Sequence, residues 1–142
     1  MKLGILCPGQ GNQSFEMLDI LENNSIAKKI IDIAKQVLPD KFLEIRSNNN
    51  IFKNKIAQPL ICATQIATWM SIKDRIPTPS LFGGYSLGEL SAYGCNGALN
   101  LKECIFLAKK RAEIMNNENR RESGLRSCQS ISLSKVNALC AE

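Results

Sequence analysis

The sequence contains no histidine, and aromatic residues make up only 6% of its 142 positions. Histidine is the commonest general base and a frequent metal ligand, so its absence removes the usual partner of a nucleophilic serine and the usual completion of a zinc site. The few aromatic side chains do not interleave with the basic clusters, as they would in a surface that stacks single-stranded bases. We therefore expect no bound metal and no nucleic-acid partner.

Long apolar runs and paired cysteine motifs are also missing. The N-terminal apolar run stops at Pro8, which makes it too short for a signal peptide, and no other run approaches the length of a membrane span. The six cysteines, at positions 7, 62, 95, 104, 128 and 140, show no CxxC spacing, and several lie inside apolar segments. This pattern favours buried free thiols in a reducing compartment over disulfides. The sequence predicts a cytoplasmic protein that does not enter the membrane.

What is present is the composition of an ordinary globular domain, with 44% hydrophobic and 22% charged residues. The net charge of +5 comes from 18 basic and 13 acidic side chains that are spread over several segments. We interpret these charged side chains as solvated surface. The alternative is a basic surface that binds an acidic partner or ligand.

The apolar pattern alternates between short runs and helical spacing. Short apolar runs predict strands at 2–7 and 80–84, and the weaker run at 124–128 is a candidate third strand. Helical spacing predicts six helices. The first three are at 15–21, from a cap at Ser25 to before Pro39, and from near Pro59 to about 74. The last three are at 87–95, from the Asn100–Glu103 capping box to about Asn116, and at 132–140. Strands that alternate with helices predict an α/β fold with a mostly parallel sheet.

A single serine is framed by glycines in the segment LFGGYSLGELSAYG, residues 81–94. Gly84, Ser86 and Gly88 form a Gly-x-Ser-x-Gly pattern between a predicted strand and a predicted helix. A sharp turn of this kind strains the serine backbone, exposes its hydroxyl, and leaves no room for side chains two residues away on either side. The pattern indicates a nucleophile at Ser86. The alternative is a glycine-rich turn whose serine only caps the helix.

The loop PGQGNQ, residues 8–13, has three interpretations. Gly9 and Gly11, followed by Ser14, nearly form a dinucleotide-binding fingerprint, but the third glycine is missing. A plain tight turn is the second interpretation. In the third, the two glycines let backbone N–H groups approach a reacting oxygen and supply an oxyanion donor.

Four segments, in this order, resemble the malonyl/acyl-CoA:acyl-carrier-protein transacylase family. CPGQGNQ resembles its PGQGSQ motif, AQPLICATQIATW its QP-containing helix, GYSLGELSAYGCNGAL its GHSLGE nucleophile elbow, and LAKKRAEIM the helix that bears its substrate arginine. The resemblance extends over nearly the whole chain. It implies an α/β-hydrolase-like parallel sheet flanked by helices, as the first part of a large subdomain over 1–119, and the truncated start of a ferredoxin-like small subdomain over 120–142.

Carried onto this sequence, the resemblance makes Ser86 the acyl-accepting nucleophile and assigns the oxyanion hole to the backbone N–H groups of Gln10 and Leu87. Arg111 would bind the free carboxylate of a malonyl group, because a planar guanidinium matches a carboxylate bidentately, and Gln58 would help to line the site. A solvated arginine in a Lys-Lys-Arg run is the alternative for Arg111. The implied substrate is the coenzyme A thioester malonyl-CoA, with no bound cofactor, and the implied partner is an acyl carrier protein.

Two features depart from the fatty-acid-synthesis enzymes of this family. Tyr85 stands where they usually have histidine. A tyrosine at this position is more similar to the malonyltransferase (epsilon) subunit of biotin-independent malonate decarboxylase. This similarity implies other subunits of that enzyme as partners. Family members are also much longer, and their catalytic histidine lies in the second half. We therefore expect a fragment or a truncated gene product that lacks its general base and is inactive by itself.

The leading hypothesis is a malonyltransferase that works through a malonyl ester on Ser86, with the malonate decarboxylase subunit favoured over the fatty-acid-synthesis enzyme because of Tyr85. An α/β-fold esterase or thioesterase would use the same elbow and release the acyl group to water. A catalytically inactive remnant that binds a carrier protein would account for the missing histidine.

Overall fold

The computed structural model describes residues 2–19, 24–38, 50–118 and 131–140. Two strands, β1 (Gly4–Cys7) and β2 (Leu81–Gly84), pair in parallel with Gly4 opposite Leu81 and Cys7 opposite Gly84. Parallel strands need a long crossover, and here the helices between them provide it. The predicted α/β class with a parallel sheet is confirmed.

The described part of the chain also contains five α-helices and three short 3-10 turns, which loops connect. The helices are α1 (Ser25–Val37), α2 (Asn54–Ile72), α3 (Leu87–Cys95), α4 (Leu101–Glu118) and α5 (Leu133–Cys140). The 3-10 turns are Phe15–Leu18, Asn50–Phe52 and Lys73–Arg75. The first 3-10 turn occupies the start of the predicted helix at 15–21, whose last two positions lie outside the described residues.

Helix α2 is the centre of the core. It is apolar on nearly every side, as expected for a buried helix, and it packs against α1, α3 and α4. Near its C-terminal end the Trp69 ring meets the Phe82 ring of β2 edge to face, with 5.1 Å between ring centroids and 84° between ring planes. This contact fastens one face of the sheet to α2.

The opposite face of the two-stranded sheet is open among the described residues. Leu6 is 76% exposed and Leu81 is 60% exposed, whereas Cys7, with a side chain on the helix-covered face, is buried. In the described part of the chain no helix is both long and apolar enough to cross a bilayer.

The start of α1 corrects one prediction. The cap is Asn24 rather than Ser25, and its Oδ1 accepts hydrogen bonds from the backbone N–H groups of Ile26 at 2.9 Å and Ala27 at 3.2 Å. An N-cap side chain reaches the N–H groups two and three residues ahead, and only position 24 places Ile26 and Ala27 there.

The start of α2 corrects a second prediction. The helix begins at Asn54, five residues before Pro59, because the carbonyl of Lys53 accepts from the N–H groups of both Ile56 and Ala57 at 2.8 Å. Pro59 therefore lies inside the helix, where its ring keeps a helical φ at the cost of one hydrogen bond. Burial of Ile56 and Ala57 offsets that cost.

The predicted capping box at the start of α4 is confirmed. The N–H of Asn100 donates to a carboxylate oxygen of Glu103, and the N–H of Glu103 donates to Oδ1 of Asn100, both at 2.9 Å. The helix continues to Glu118, two residues beyond its predicted end. The candidate strand at 124–128 and the predicted domain boundary near 119 lie outside the described residues, so the hydrolase-like and ferredoxin-like details stay predictions.

Candidate active site

Ser86 occupies the turn between β2 and α3 in a strained backbone conformation. Its φ of 54° and ψ of −113° make it the one non-glycine residue with positive φ in the described part of the chain. A Cβ on Gly84 would overlap the backbone of Gly88, and a Cβ on Gly88 would overlap the carbonyl of Cys7. Both flanking glycines are therefore required by the close approach of the strands to the helix that follows.

The hydroxyl of Ser86 is not used to cap α3. Ser86 is exposed and sits at the N-cap position, but its side chain makes no capping hydrogen bond. The interpretation of this serine as a helix cap is therefore wrong. A strained turn that presents an exposed hydroxyl at the carboxyl end of a parallel strand has the form of a nucleophile elbow.

The loop that follows β1 lies directly beside this serine. A Cβ placed on Gly9 would be 3.0 Å from the carbonyl oxygen of Tyr85 and 3.7 Å from Cβ of Ser86, so a side chain at position 9 would crowd the elbow. The next residue, Gln10, is exposed, and Gly11 follows with a φ of 139°. The loop leads into the 3-10 turn Phe15–Leu18, and the third glycine of a dinucleotide-binding fingerprint is absent from the sequence.

Leu87 is the other residue for which the sequence analysis expects a backbone role. It is the first residue of α3, so its N–H has no acceptor within the helix and lies at the positive end of the helix dipole. Leu87 directly follows Ser86, and Gln10 directly follows Gly9, whose Cβ position would lie 3.7 Å from Cβ of Ser86.

Arg111 reaches Ser86 from α4. Its guanidinium donates from Nη2 to Oγ of Ser86 at 2.9 Å and from Nη1 to Oε1 of Gln58 at 2.8 Å. Gln58 is a fully buried polar residue of α2, and its Nε2 lies 3.4 Å from Sδ of Met115, one turn beyond Arg111. The structure thus joins three of the predicted site residues in one hydrogen-bonded group.

The charge of Arg111 is not neutralised by any ion pair within the described part of the chain. Its neighbour Lys110 behaves differently, with an ion pair of 2.8 Å to Glu113. An unneutralised guanidinium whose plane is fixed by a buried amide is suited to a planar anion such as a carboxylate. The interpretation of Arg111 as one more solvated residue of its basic run does not fit this geometry.

Three further polar residues border the site and were not predicted. Nε2 of Gln10 donates to Oδ1 of Asn54 at 2.9 Å, and Nδ2 of Asn54 donates to Oδ1 of Asn116 at 3.0 Å. Nε2 of Gln65 donates to the carbonyl oxygen of Pro8 at 2.8 Å. A signal was present in the sequence, because positions 54, 58 and 65 share one face of a mostly apolar helix.

The four cysteines whose side chains the structure describes take no part in this group. Cys7, Cys62, Cys95 and Cys104 are free and buried, as predicted. Cys128 and the side chain of Cys140 lie outside the described part. Burial raises the pKa of the Cys62 thiol from 9.0 to about 12 and that of Cys104 to about 11. Such thiols stay protonated at neutral pH and are poor nucleophiles.

An apolar groove of about 620 Å³ opens elsewhere, between α1, α2 and β2. Its walls include Ile30, Trp69 and Phe82. None of the predicted site residues lines it, so the hydrogen-bonded group around Ser86, rather than this groove, is the candidate active site.

No family model matches the chain. It is 35% identical over 124 residues to the malonyl CoA-acyl carrier protein transacylase of Bacillus subtilis strain 168, an alignment that covers 81% of this chain and 38% of that protein. It also superposes on an acyl carrier protein S-malonyltransferase from Vibrio cholerae with a TM-score of 0.74 and 27% identity, over 82% of this chain and 40% of that one.

A second similar structure is a malonyl-transacylase in complex with the acyl-carrier protein of a type II polyketide synthase. The TM-score is 0.77 and the identity 26%, over 89% of this chain and 45% of that one. In these comparisons the chain spans less than half the length of the proteins that it matches.

Proposed function

Because the chain belongs, over most of its length, to the malonyl-CoA:acyl-carrier-protein transacylase family, we propose that Ser86 accepts a malonyl group from malonyl-CoA and passes it to the thiol of an acyl carrier protein. The observation that carries this proposal is the joining of Ser86, Arg111 and Gln58 by hydrogen bonds of 2.9 and 2.8 Å. It puts a cation that forms no ion pair among the described residues beside the hydroxyl of a strained elbow, which suits an acyl group that has its own carboxylate.

The reaction has two halves. Oγ of Ser86 attacks the thioester carbonyl of malonyl-CoA and gives up its proton, the C–S bond breaks, and coenzyme A leaves as the thiol. The carrier-protein thiol then attacks the malonyl-serine ester, loses its proton, and restores the serine hydroxyl. In both halves negative charge develops on the carbonyl oxygen, and the backbone N–H groups of Gln10 and Leu87 stabilise it.

Arg111 selects the acyl group. Its guanidinium already donates to Ser86 and Gln58, and a malonyl carboxylate exchanges with the serine hydroxyl as the acceptor at Nη2. Gln58 is fully buried and holds Nη1, so the guanidinium stays oriented while its other partner changes. A neutral acetyl group offers no such acceptor, which favours malonyl over acetyl.

The general base is expected outside these residues. The 142 residues contain no histidine, and an unactivated serine hydroxyl is a weak nucleophile. We place the proton acceptor on a segment or a subunit beyond this sequence. The open face of the sheet around Leu6 and Leu81 gives such a segment a surface on which to pack.

The acceptor is proposed to be an acyl carrier protein. Support comes from the similar malonyl-transacylase that was solved in complex with an acyl-carrier protein. The proposal also includes the use of malonyl-CoA as free substrate with no bound cofactor, and activity in the cytoplasm.

A second candidate function is that of the malonyltransferase subunit of malonate decarboxylase. Tyr85, which is 78% exposed directly beside Ser86, favours it, because the fatty-acid-synthesis enzymes usually have histidine there. The two functions differ in the protein that accepts the malonyl group. Transfer to the carrier subunit of malonate decarboxylase would support this second candidate, and transfer to the carrier protein of fatty acid synthesis would support the first.

The test uses the protein produced in its native host, so that any partner that supplies the base is retained. Incubation with malonyl-CoA should add one malonyl group to the peptide that contains Ser86, and Ser86→Ala should remove that addition. Ser80→Ala is the matched control, since Ser80 is an exposed serine six residues away and should leave the label unchanged. A label that persists in Ser86→Ala would disprove the assignment, and hydrolysis without transfer to a carrier thiol would favour the esterase.

A further inference from the structure

Gln65 contacts the loop beside Ser86 but has no part in the chemistry proposed above. It is the last of three amide side chains on α2, after Asn54 and Gln58. At 100° per residue these positions fall within roughly 40° of one another around the helix axis. Each contacts a different part of the site: Asn54 binds the side chain of Gln10, Gln58 binds Arg111, and Gln65 binds the backbone of Pro8.

The hydrogen bond from Gln65 fixes a central point of the site. Its Nε2 donates to the carbonyl oxygen of Pro8 at 2.8 Å across 57 positions of sequence. A Cβ on Gly88 would be only 2.8 Å from the same carbonyl oxygen, so the Pro8 carbonyl is held between α2 and the start of α3. The backbone of Gln10 is two residues away on one side, and Leu87 adjoins Gly88 on the other.

Core packing does not explain a glutamine at this position. Oε1 of Gln65 is buried and has no hydrogen-bond partner among residues 2–19, 24–38, 50–118 and 131–140. An unpaired buried acceptor destabilises the folded state, and a methionine of similar length would fill the space without that penalty. The buried Oε1 of Gln65 is therefore unfavourable for stability, whereas its Nε2 makes a hydrogen bond to the Pro8 carbonyl that an apolar side chain cannot make.

We infer that Gln65 is a positioning residue for the oxyanion hole. By holding the Pro8 carbonyl, it sets the distance between the N–H of Gln10 and the N–H of Leu87 around Ser86. This inference rests on the proposed function of Ser86, and it concerns the geometry of the loop rather than the binding of malonyl, which falls to Arg111.

The first test measures the loop directly and does not depend on catalysis. Gln65→Met removes the donor and keeps the length of the side chain, so backbone amide exchange at residues 9–11 should become about tenfold faster. The melting temperature should stay the same or rise, because the unpaired acceptor is also removed. Gln65→Glu has nearly the same shape without the donor and should also speed exchange in the loop. Gln36→Met, on the exposed side of α1, is the control and should leave exchange in the loop unchanged.

The second test measures malonyl transfer by the protein in its native host. Gln65→Met should lower kcat about tenfold with KM for malonyl-CoA unchanged, since transition-state stabilisation is weakened and the carboxylate contact is intact. A drop in melting temperature with faster exchange throughout α2 would show a merely structural role and overturn the inference. Unchanged exchange at residues 9–11 in both Gln65 variants would overturn it as well.

The two proposals fail in different ways. If wild-type protein forms no malonyl ester on Ser86, the proposed function fails even when exchange in the loop responds to Gln65. If the ester forms on Ser86 and neither loop exchange nor kcat responds to Gln65→Met, the positioning role fails and the proposed function stands.

Discussion

Arg111 and Ser86, 25 positions apart in the sequence, are joined by a hydrogen bond of 2.9 Å from the guanidinium Nη2 to the hydroxyl Oγ. The bond connects the turn before α3 with the third turn of α4, and the buried amide of Gln58 holds the other guanidinium nitrogen. In this arrangement a cation is oriented before any ligand arrives. A preorganised donor loses little on binding, which is the condition for strong selection of a carboxylate.

Replacement of Arg111 should change substrate preference more than reaction with neutral acyl groups. A charge-assisted contact of this kind contributes about 2–3 kcal/mol, so Arg111→Ala should lower the malonyl-to-acetyl ratio of kcat/KM roughly a hundredfold. Arg111→Lys keeps the charge but cannot hold Gln58 and a carboxylate at once, and should lower the ratio as well. Lys110→Ala, which removes only the surface pair with Glu113, is the control. An unchanged ratio in Arg111→Ala would contradict the assignment.

Substitution of the glycine before the elbow should destabilise the fold. The Cβ of Gly84→Ala would overlap the backbone of Gly88 and Glu89, so the strand and the helix must separate. We expect a loss of about 3 kcal/mol or more in the free energy of unfolding, measured by chemical denaturation. Gly4→Ala in β1 is the matched control, since its Cβ would have no neighbour closer than 4.0 Å, and it should change stability little. Equal stabilities of the two variants would show that the elbow is not tightly packed.

The buried thiol of Cys62 should make stability fall at alkaline pH. Burial raises its pKa from 9.0 to about 12, so above pH 9 the unfolded chain loses this proton while the folded chain keeps it. Its contribution is complete below about pH 9 and is lost as the pH rises toward 12, with a slope of about 1.4 kcal/mol per pH unit.

The measurement is the pH dependence of the free energy of unfolding between pH 9 and 11. Cys62→Ala should make this slope shallower by about 1.4 kcal/mol per pH unit, although the variant is less stable overall. Ala63→Gly, at the adjacent fully buried position, should lower stability and keep the wild-type slope. If Cys62→Ala keeps the full slope, the thiol already ionises in the folded chain.

The 142 residues alone should transfer malonyl very slowly. Loss of the base from a serine triad lowers kcat by about 10⁴–10⁶, and the oxyanion donors leave only a small residual rate. The exposed side chains of Leu6 and Leu81 should also promote aggregation of the isolated chain. A histidine-containing segment or subunit that packs on this face should restore solubility and transfer together. Rapid transfer by residues 1–142 alone would exclude the proposed mechanism.

Several features of this protein follow from the sequence by itself. The Gly-x-Ser-x-Gly pattern and the Asn100–Glu103 box act over a few residues, where backbone sterics and side-chain reach leave few alternatives, and the structure shows a strained turn at Ser86 and a reciprocal cap at the start of α4. The alternation of apolar runs with helical spacing likewise predicted the parallel pairing of β1 and β2. The predicted cap of α1 was off by one residue, because asparagine and serine are both good caps and Asn24 directly precedes Ser25.

Tertiary structure alone decided which polar residues meet. Helical spacing puts Arg111 on the same face as Cys104 and Ala108, which distinguishes it from the two lysines before it, but it does not identify a partner. Only the packing of α4 on α2 directs Arg111 to Gln58 and Ser86, while Lys110 pairs with Glu113 at the surface. The partner of Gln65 also depends on tertiary packing. It is the backbone carbonyl of Pro8, 57 positions away, and every residue has such a carbonyl, so the sequence cannot identify it. Helical spacing fixes the direction in which a side chain leaves its own helix, but the choice of partner depends on how distant elements pack, and that is set by the whole buried core.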